Sequence, residues 1–147
     1  MKQSIVIEAP IKDVFDSIAK ASLREKWFPN VTSIRYSNPK DESKTGATFQ
    51  LTAEEGKEHV LLQGRNKEVS LHSHFAFELE SQTYIMTFSY HLHQQGEHTL
   101  VDQEFETKYH RPVMNAIDKL FKSSTKQTGE FVLKSLADYC ETRVVHN

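Results

Sequence analysis

Cysteine is almost missing from this chain: Cys140 is the one thiol among 147 residues. No internal disulfide can form and no cysteine-based structural zinc site is available, which fits a reducing compartment. Cys140 falls near the end of an expected helix, where it reads as a bystander rather than a nucleophile. Long apolar runs are missing as well. The opening MKQSIVIEAP holds one lysine and an apolar run of only Ile5 to Ile7, far short of a signal-peptide core or a membrane span. The expectation is a cytoplasmic protein without stable membrane insertion. Nor is there an excess of charge. The 18 basic and 20 acidic residues leave a net charge of −2 and are spread along the chain, so there is no electrostatic footprint for nucleic acid or an anionic membrane. Four prolines and five glycines are too few for a flexible linker, and no internal repeat or low-complexity segment occurs. Residues 1–147 therefore read as one domain, long enough to bury roughly two-thirds of its unfolded surface without staples.

What the chain does have is a long amphipathic stretch from Pro112 to Tyr139. At 3.6 residues per turn, Met114, Ile117, Phe121, Val132, Leu136 and Tyr139 share one stripe, flanked by Val113, Leu120 and Phe131. A helix of about thirty residues spans roughly 45 Å and needs a broad partner. Ser124, Thr128 and Ser135 interrupt the stripe. Either their hydroxyls bond back to carbonyls one turn earlier or they leave room for a ligand. Gly129 weakens the same helix by about 1 kcal/mol relative to Ala and marks a place where it can bend.

The partner is a sheet. Ser4 to Glu8 reads as a short strand stopped by Ala9-Pro10, and a helix follows from Pro10 to Lys20 on Val14, Phe15, Ile18 and Ala19. A second short helix runs to Trp27 and Phe28, with Ser22 as N-cap and Glu25 three residues on. From Val31 onward the period is two. Val31 to Tyr36 is a strand and Ser37 to Thr45 a solvated loop. Thr48 to Ala53 with Glu58 to Asn66 forms a hairpin, Leu71 to Leu79 with Tyr84 to His93 a second, and His98 to Tyr109 the last strand. Short turns make these strands antiparallel.

Alternation assembles one face. Leu71, Ser73, Phe75, Phe77 and Leu79 point one way, and Tyr84, Met86, Phe88, Tyr90 and Leu92 line the matching face of the next strand. Phe49, Leu51, Val60 and Leu62 extend this wall at one side, and Val101, Gln103, Phe105, Thr107 and Tyr109 at the other. Met114, Ile117 and Phe121 close it from the helix. Residues at this spacing form either a packed core or the lining of a cavity. The polar tips of Tyr84, Tyr90, Ser73 and Gln103 suit an apolar ligand with a carbonyl or hydroxyl, and equally suit core groups that bond one another.

Eight histidines are many for this length. His72 and His74 pair with His91 and His93 across the second hairpin, with His72 expected opposite His91. Such a cluster has metal-ligand spacing. It lies on the parity opposite the aromatic wall, however, and no Asp or Glu stands among the four as an orienter. The expectation is no metal and no cofactor, with the histidines forming a solvated face or a contact between two copies in a homodimer that weakens near pH 6. Glu58, Glu78, Asp102, Glu104 and Glu106 are expected outward. The inward polar set offers no general base.

The run Ile7-Glu8-Ala9-Pro10-Ile11-Lys12-Asp13-Val14-Phe15, followed by Trp27-Phe28-Pro29-Asn30-Val31 after two short helices, resembles the opening of the START-like superfamily, particularly its polyketide cyclase/dehydrase-like branch. The resemblance implies an α+β helix-grip fold, with a curved seven-stranded antiparallel sheet around the long C-terminal helix and a cavity between them. It implies a small hydrophobic ligand, lipid- or polyketide-like. Members of the superfamily also include enzymes and chaperone-ATPase activators, so binding, cyclase- or dehydratase-type catalysis and protein interaction are the three functions in play. No catalytic residue follows from the resemblance.

Overall fold

The computed structural model describes residues 1–111 and 122–146. Strand β1 (Lys2–Ile7) leads into helices α1 (Ile11–Ala19) and α2 (Ala21–Trp27). Strands β2 (Val31–Tyr36), β3 (Thr48–Glu55), β4 (Glu58–Ser70), β5 (His74–Glu80), β6 (Tyr84–Gln95) and β7 (His98–Tyr109) follow, and α3 (Lys122–His146) ends the chain. The seven strands form one antiparallel sheet in the order β1-β7-β6-β5-β4-β3-β2, so the sequential meander from β2 to β7 is completed by β1 on its far edge. This is an α+β helix-grip architecture. Among the described residues no helix is long and apolar enough to cross a membrane.

Register follows from alternation. Phe49, Leu51 and Ala53 stand opposite Gly64, Leu62 and Val60, while Phe77 and Leu79 stand opposite Phe88 and Met86, which sends all of them to one face. That face carries the core, closed by α1, α2 and α3. Gly64 is required by its neighbour: a Cβ there would collide with the Phe49 ring, which packs directly against the β4 backbone.

Several local expectations are corrected. Strand β4 runs on to Ser70, because a register shift between Asn66 and Glu68 absorbs one residue and keeps the charged stretch paired. Strand β5 consequently starts at His74, and Leu71 to Ser73 form the turn, with His72 at φ 62° and Leu71 exposed. Helix α2 begins at Ala21 instead of being capped by Ser22. Its Ala21 N–H donates to Glu42 from the 37–47 loop, and Glu25 accepts from Ile34 N–H instead of completing a capping box. Along α3 the buried apolar side chains among the described ones are Val132, Leu133, Leu136, Ala137 and Cys140, while Phe131 is exposed; the stripe is rotated from the expected one because the helix leans on β1 as well as on α1 and α2. Ser135 donates to the Trp27 carbonyl rather than to its own helix. Gly129 serves a close approach, since a Cβ there would meet the Gln3 amide. The expected helical start, with Met114, Ile117 and Phe121, lies outside the described residues.

Candidate functional site

The concave face divides into two zones. In the first, an aromatic row crosses the sheet: Phe105 stacks on Phe88 at 4.8 Å between centroids, Phe88 on Phe77 at 5.3 Å, Phe77 meets Phe49 edge-on at 6.2 Å, and Phe49 meets Tyr36 at 4.8 Å. The row skips β4, where Gly64 and Asn66 make room for it. Phe28, just after α2, sets its edge on Phe77 and Phe88. Phe49, Leu51, Leu62, Phe75, Phe77, Phe88, Tyr90, Gln103 and Phe105 are all buried.

In the second zone, toward the 56–57 and 81–83 turns, the same face is only half-covered. Val31, Ala53, Val60 and Met86 are partly buried and packed against the core, as is Phe28, and Tyr84, Thr107 and Tyr109 are half-buried beside them. Met86 stands between Leu79 and Thr107, and Tyr84 is opposite Tyr109. The predicted strand wall is thus brought together on one face except at the 71–73 turn, where Leu71 is exposed. Ser73 sits in the turn, exposed, its hydroxyl donating to Ser70 O.

The fully buried inward polar groups serve the core. Tyr90 Oη donates to Gln103 Oε1 at 2.8 Å, and Gln103 Nε2 donates to Gly129 O at 2.9 Å, tying the sheet to α3. Burial pushes the Tyr90 hydroxyl far above its ordinary range, so it stays protonated at all physiological pH values.

The sequence reading missed the most unusual group on this face. Arg24 on α2 is fully buried. Its guanidinium donates to Ile18 O and to Tyr36 Oη, each at 2.8 Å, and lies 4.9 Å from the Phe77 ring centre, 5.1 Å from Phe49 and 5.4 Å from Phe75. Its hydrogen-bond partners are neutral, and ring faces supply the rest of its stabilisation. Among the described residues Nε has no hydrogen-bond partner. Tyr36 donates onward to Asn66 Oδ1 at 2.7 Å, and Asn66 Nδ2 donates to the carbonyls of Glu42 and Lys44. Burial raises the Tyr36 pKa and the nearby Arg24 charge opposes that rise. A signal for Arg24 did exist: Ala21, Arg24 and Trp27 are three apart and all buried, so a charge occupied a stripe position of a short helix.

The histidines are arranged differently from the expectation. His74, not His72, stands opposite His91, and their rings stack at 3.9 Å. His72 turns its ring edge to Phe15 at 5.6 Å. Acidic partners are present after all, with His74 Nδ1 at 3.0 Å from Glu68 and His93 Nε2 at 3.1 Å from Asp102. Among the described residues no three His, Cys, Asp or Glu side chains are grouped to hold a metal.

No family model and no curated protein matches the chain. Solved structures do. A protein of Thermus thermophilus, TTHA0849, aligns with TM-score 0.74 and 14% identity over 97% of both chains. The Zhui aromatase/cyclase from a Streptomyces species aligns with TM-score 0.72 and 12% identity over 98% of this chain and 94% of that one. Ara h 8.0201 aligns with TM-score 0.64 and 14% identity over 100% and 97%. At these identities the likeness is one of fold, a curved antiparallel sheet gripping a C-terminal helix.

Proposed function

We propose, from the helix-grip fold as premise, that this chain binds a small hydrophobic or aromatic molecule between the sheet and the C-terminal helix. The observation that carries the reading is the half-covered zone around Met86. Its residues point to the same side as the sealed aromatic row, yet Val31, Ala53, Val60, Phe28 and Met86 keep part of their surface free. A concave apolar wall with a few tyrosine and threonine tips is the usual chemistry of a small-molecule site. The ligand is lipid- or polyketide-like, and the buried, free Cys140 is in keeping with a cytoplasmic setting.

An enzyme of cyclase or dehydratase type is the second reading, favoured by the likeness to an aromatase/cyclase. It is weaker because two fully buried polar side chains of the concave face are committed to the core. Tyr90 and Gln103 hold each other and α3, and burial pushes the tyrosine's pKa further above the operating pH, where it makes a poor acid or base. A protein-interaction module ranks third, since the exposed apolar side chains Val6, Leu61, Leu71 and Phe131 stand singly on separate elements.

Native mass spectrometry of protein purified from its own host, followed by denaturing extraction, tests the reading. The expected result is a stoichiometric apolar adduct that is lost when Met86→Trp fills the wall in a folded variant. A wild-type mass with no adduct, together with no uptake of an added fatty acid or aromatic polyketide, would sink it.

A further inference from the structure

Among the described residues strand β1 has a sheet neighbour on one side only. Met1 N donates to Phe105 O and Phe105 N to Met1 O, each at 2.9 Å. In an antiparallel ladder the bonded pairs alternate, so Gln3, Ile5 and Ile7 also bond β7, while the even residues turn their N–H and C=O to the free edge. Glu8 N–H is taken there by Glu141 Oε2 at 2.9 Å. The backbone groups of Ser4 and Val6 are what the edge offers. Edges are commonly guarded by a central lysine, a proline or a bulge. Here the one lysine, Lys2, is at the strand's start and 3.2 Å from Glu104, and Val6 is 48% exposed.

Beside this edge runs a groove of about 540 Å³ between β1 and α3. Ile5, Leu133 and Ala137 give it an apolar floor; Glu130, Asp138 and Glu141 line it with one lysine, Lys134, and Lys126 stands 3.9 Å from Glu130 at one end. Side chains bound to backbone close both ends, Gln3 Nε2 to Lys126 O at 3.0 Å and Glu141 to Glu8 N. Between them lie Ser4 to Ile7, so that Gln3 and Glu8 stand roughly 17 Å apart along the strand.

We propose that the β1 edge and this groove receive an extended peptide of another protein, with basic and apolar residues alternating, as an eighth strand of the sheet. Its backbone bonds Ser4 and Val6, the mode in which an added strand gains affinity from main-chain hydrogen bonds and specificity from alternate side chains. Lysine or arginine stems on the groove side lie along Leu133 and Ala137 and carry their charges to Glu130, Asp138 and Glu141. The charge pattern selects this occupant over a second copy of the chain. Two-fold pairing of β1 with itself would set two such acid-rich rims side by side, like charge against like. The site is separate from the Met86 wall, and nothing in it depends on what binds there.

The test uses the whole 15N-labelled protein and an acetylated, amidated peptide of three Lys-Val repeats as probe. Saturating peptide is expected to slow amide exchange of Ser4 and Val6 at least tenfold while leaving the β2 edge unchanged. Fully N-methylating the peptide, replacing its lysines by glutamates, or introducing Glu130→Lys with Asp138→Lys in the protein each weakens binding at least tenfold. No slowing at millimolar peptide overturns the proposal, as does equal binding of the N-methylated peptide. Protection of Ser4 and Val6 that rises with protein concentration alone assigns the edge to a second copy and overturns it too.

Discussion

Arg24 and Tyr36 share a hydrogen bond of 2.8 Å inside the core, and Tyr36 in turn donates to Asn66 at 2.7 Å. A cation from α2, a phenol from β2 and an amide from the bulge of β4 thus hold one end of the sheet to the 37–47 loop. The arrangement depends on a planar fork that can reach two acceptors and lie against ring faces at once.

Arg24→Lys is therefore expected to be worse than Arg24→Met. The ammonium cannot reach both Ile18 O and Tyr36 Oη, nor stack on Phe77, and it keeps the desolvation penalty of a charge; a loss of about 3 kcal/mol or more is expected. Methionine fills the space and leaves the Ile18 carbonyl without its donor, at a cost of about 1–3 kcal/mol. Urea denaturation of both variants measures the order, and a lysine variant as stable as the methionine one would refute it.

The two zones of the concave face predict a contrast. Phe88 is held between Phe77 and Phe105 and is sealed, so Phe88→Ala should cost roughly 3–5 kcal/mol. Met86→Ala, in the half-covered zone, should cost clearly less than the roughly 2–5 kcal/mol of a sealed methionine. Equal losses in thermal and chemical unfolding would mean that the wall around Met86 is as closed as the aromatic row.

Glycine substitutions separate the two close approaches. Gly64→Ala forces the Phe49 ring off the β4 backbone and should cost about 1–3 kcal/mol as overpacking. At Gly129 the obstacle is the end of a flexible side chain, Gln3, and the loss of its contact is offset by the roughly 1 kcal/mol that alanine brings to a helix. Near-neutral stability of Gly129→Ala, turning to a gain when Gln3→Ala is added, is the expected outcome of denaturant titration.

Acid should act through His74. Burial, and then the neighbouring His91, lower its pKa, while Glu68 pulls the other way. The folded state therefore binds a proton less readily than the unfolded chain, whose histidines titrate near about 6.5. Stability falls as pH drops through that value toward the lower folded pKa, and is unaffected above it. His74→Gln should flatten this part of the stability–pH curve as the pH falls below about 6.5; an unchanged slope would show that other groups carry it.

Cys140 is buried and its thiol is pushed up to about 11, mainly by burial. A thiol-specific reagent at mildly alkaline pH should modify it only as fast as the protein opens. Prompt stoichiometric modification of the native chain would contradict the packing of α3 against α1.

Alternation and turn residues carry most of the fold: the strands from Val31 to Tyr109 and their common inward face are legible because polar and apolar residues change places every second position. What escapes is tertiary satisfaction of local groups. Ser22 looks like a cap because nothing nearby in sequence reveals that Glu42 reaches the Ala21 N–H. The extension of β4 depends on a bulge at Asn66, which no hydrophobic pattern encodes. Arg24 is hard to tell from the charges around it on α2, since its stabilisation comes from rings on β3 and β5 that are close only after folding. The wall residues from Phe49 to Phe105 follow from parity, whereas the division between sealed and half-covered zones is set by where Phe28 and the helices land.

The place of β1 in the sheet also governs the timing of assembly. Ser4 reaches its hydrogen-bond partner Asp102 across a sequence separation of 98 residues, whereas β2 through β6 each meet the strand that follows. On a ribosome adding about 5–20 residues per second, the first strand waits roughly 5–20 s for β7 to be made. The meander can zip from hairpin to hairpin in that interval, but long-range closure is the slow kind of contact. Until then the apolar face of β1 is unshielded in the nascent chain, and the step that docks it on β7 is also the one that gives α3 its second supporting edge.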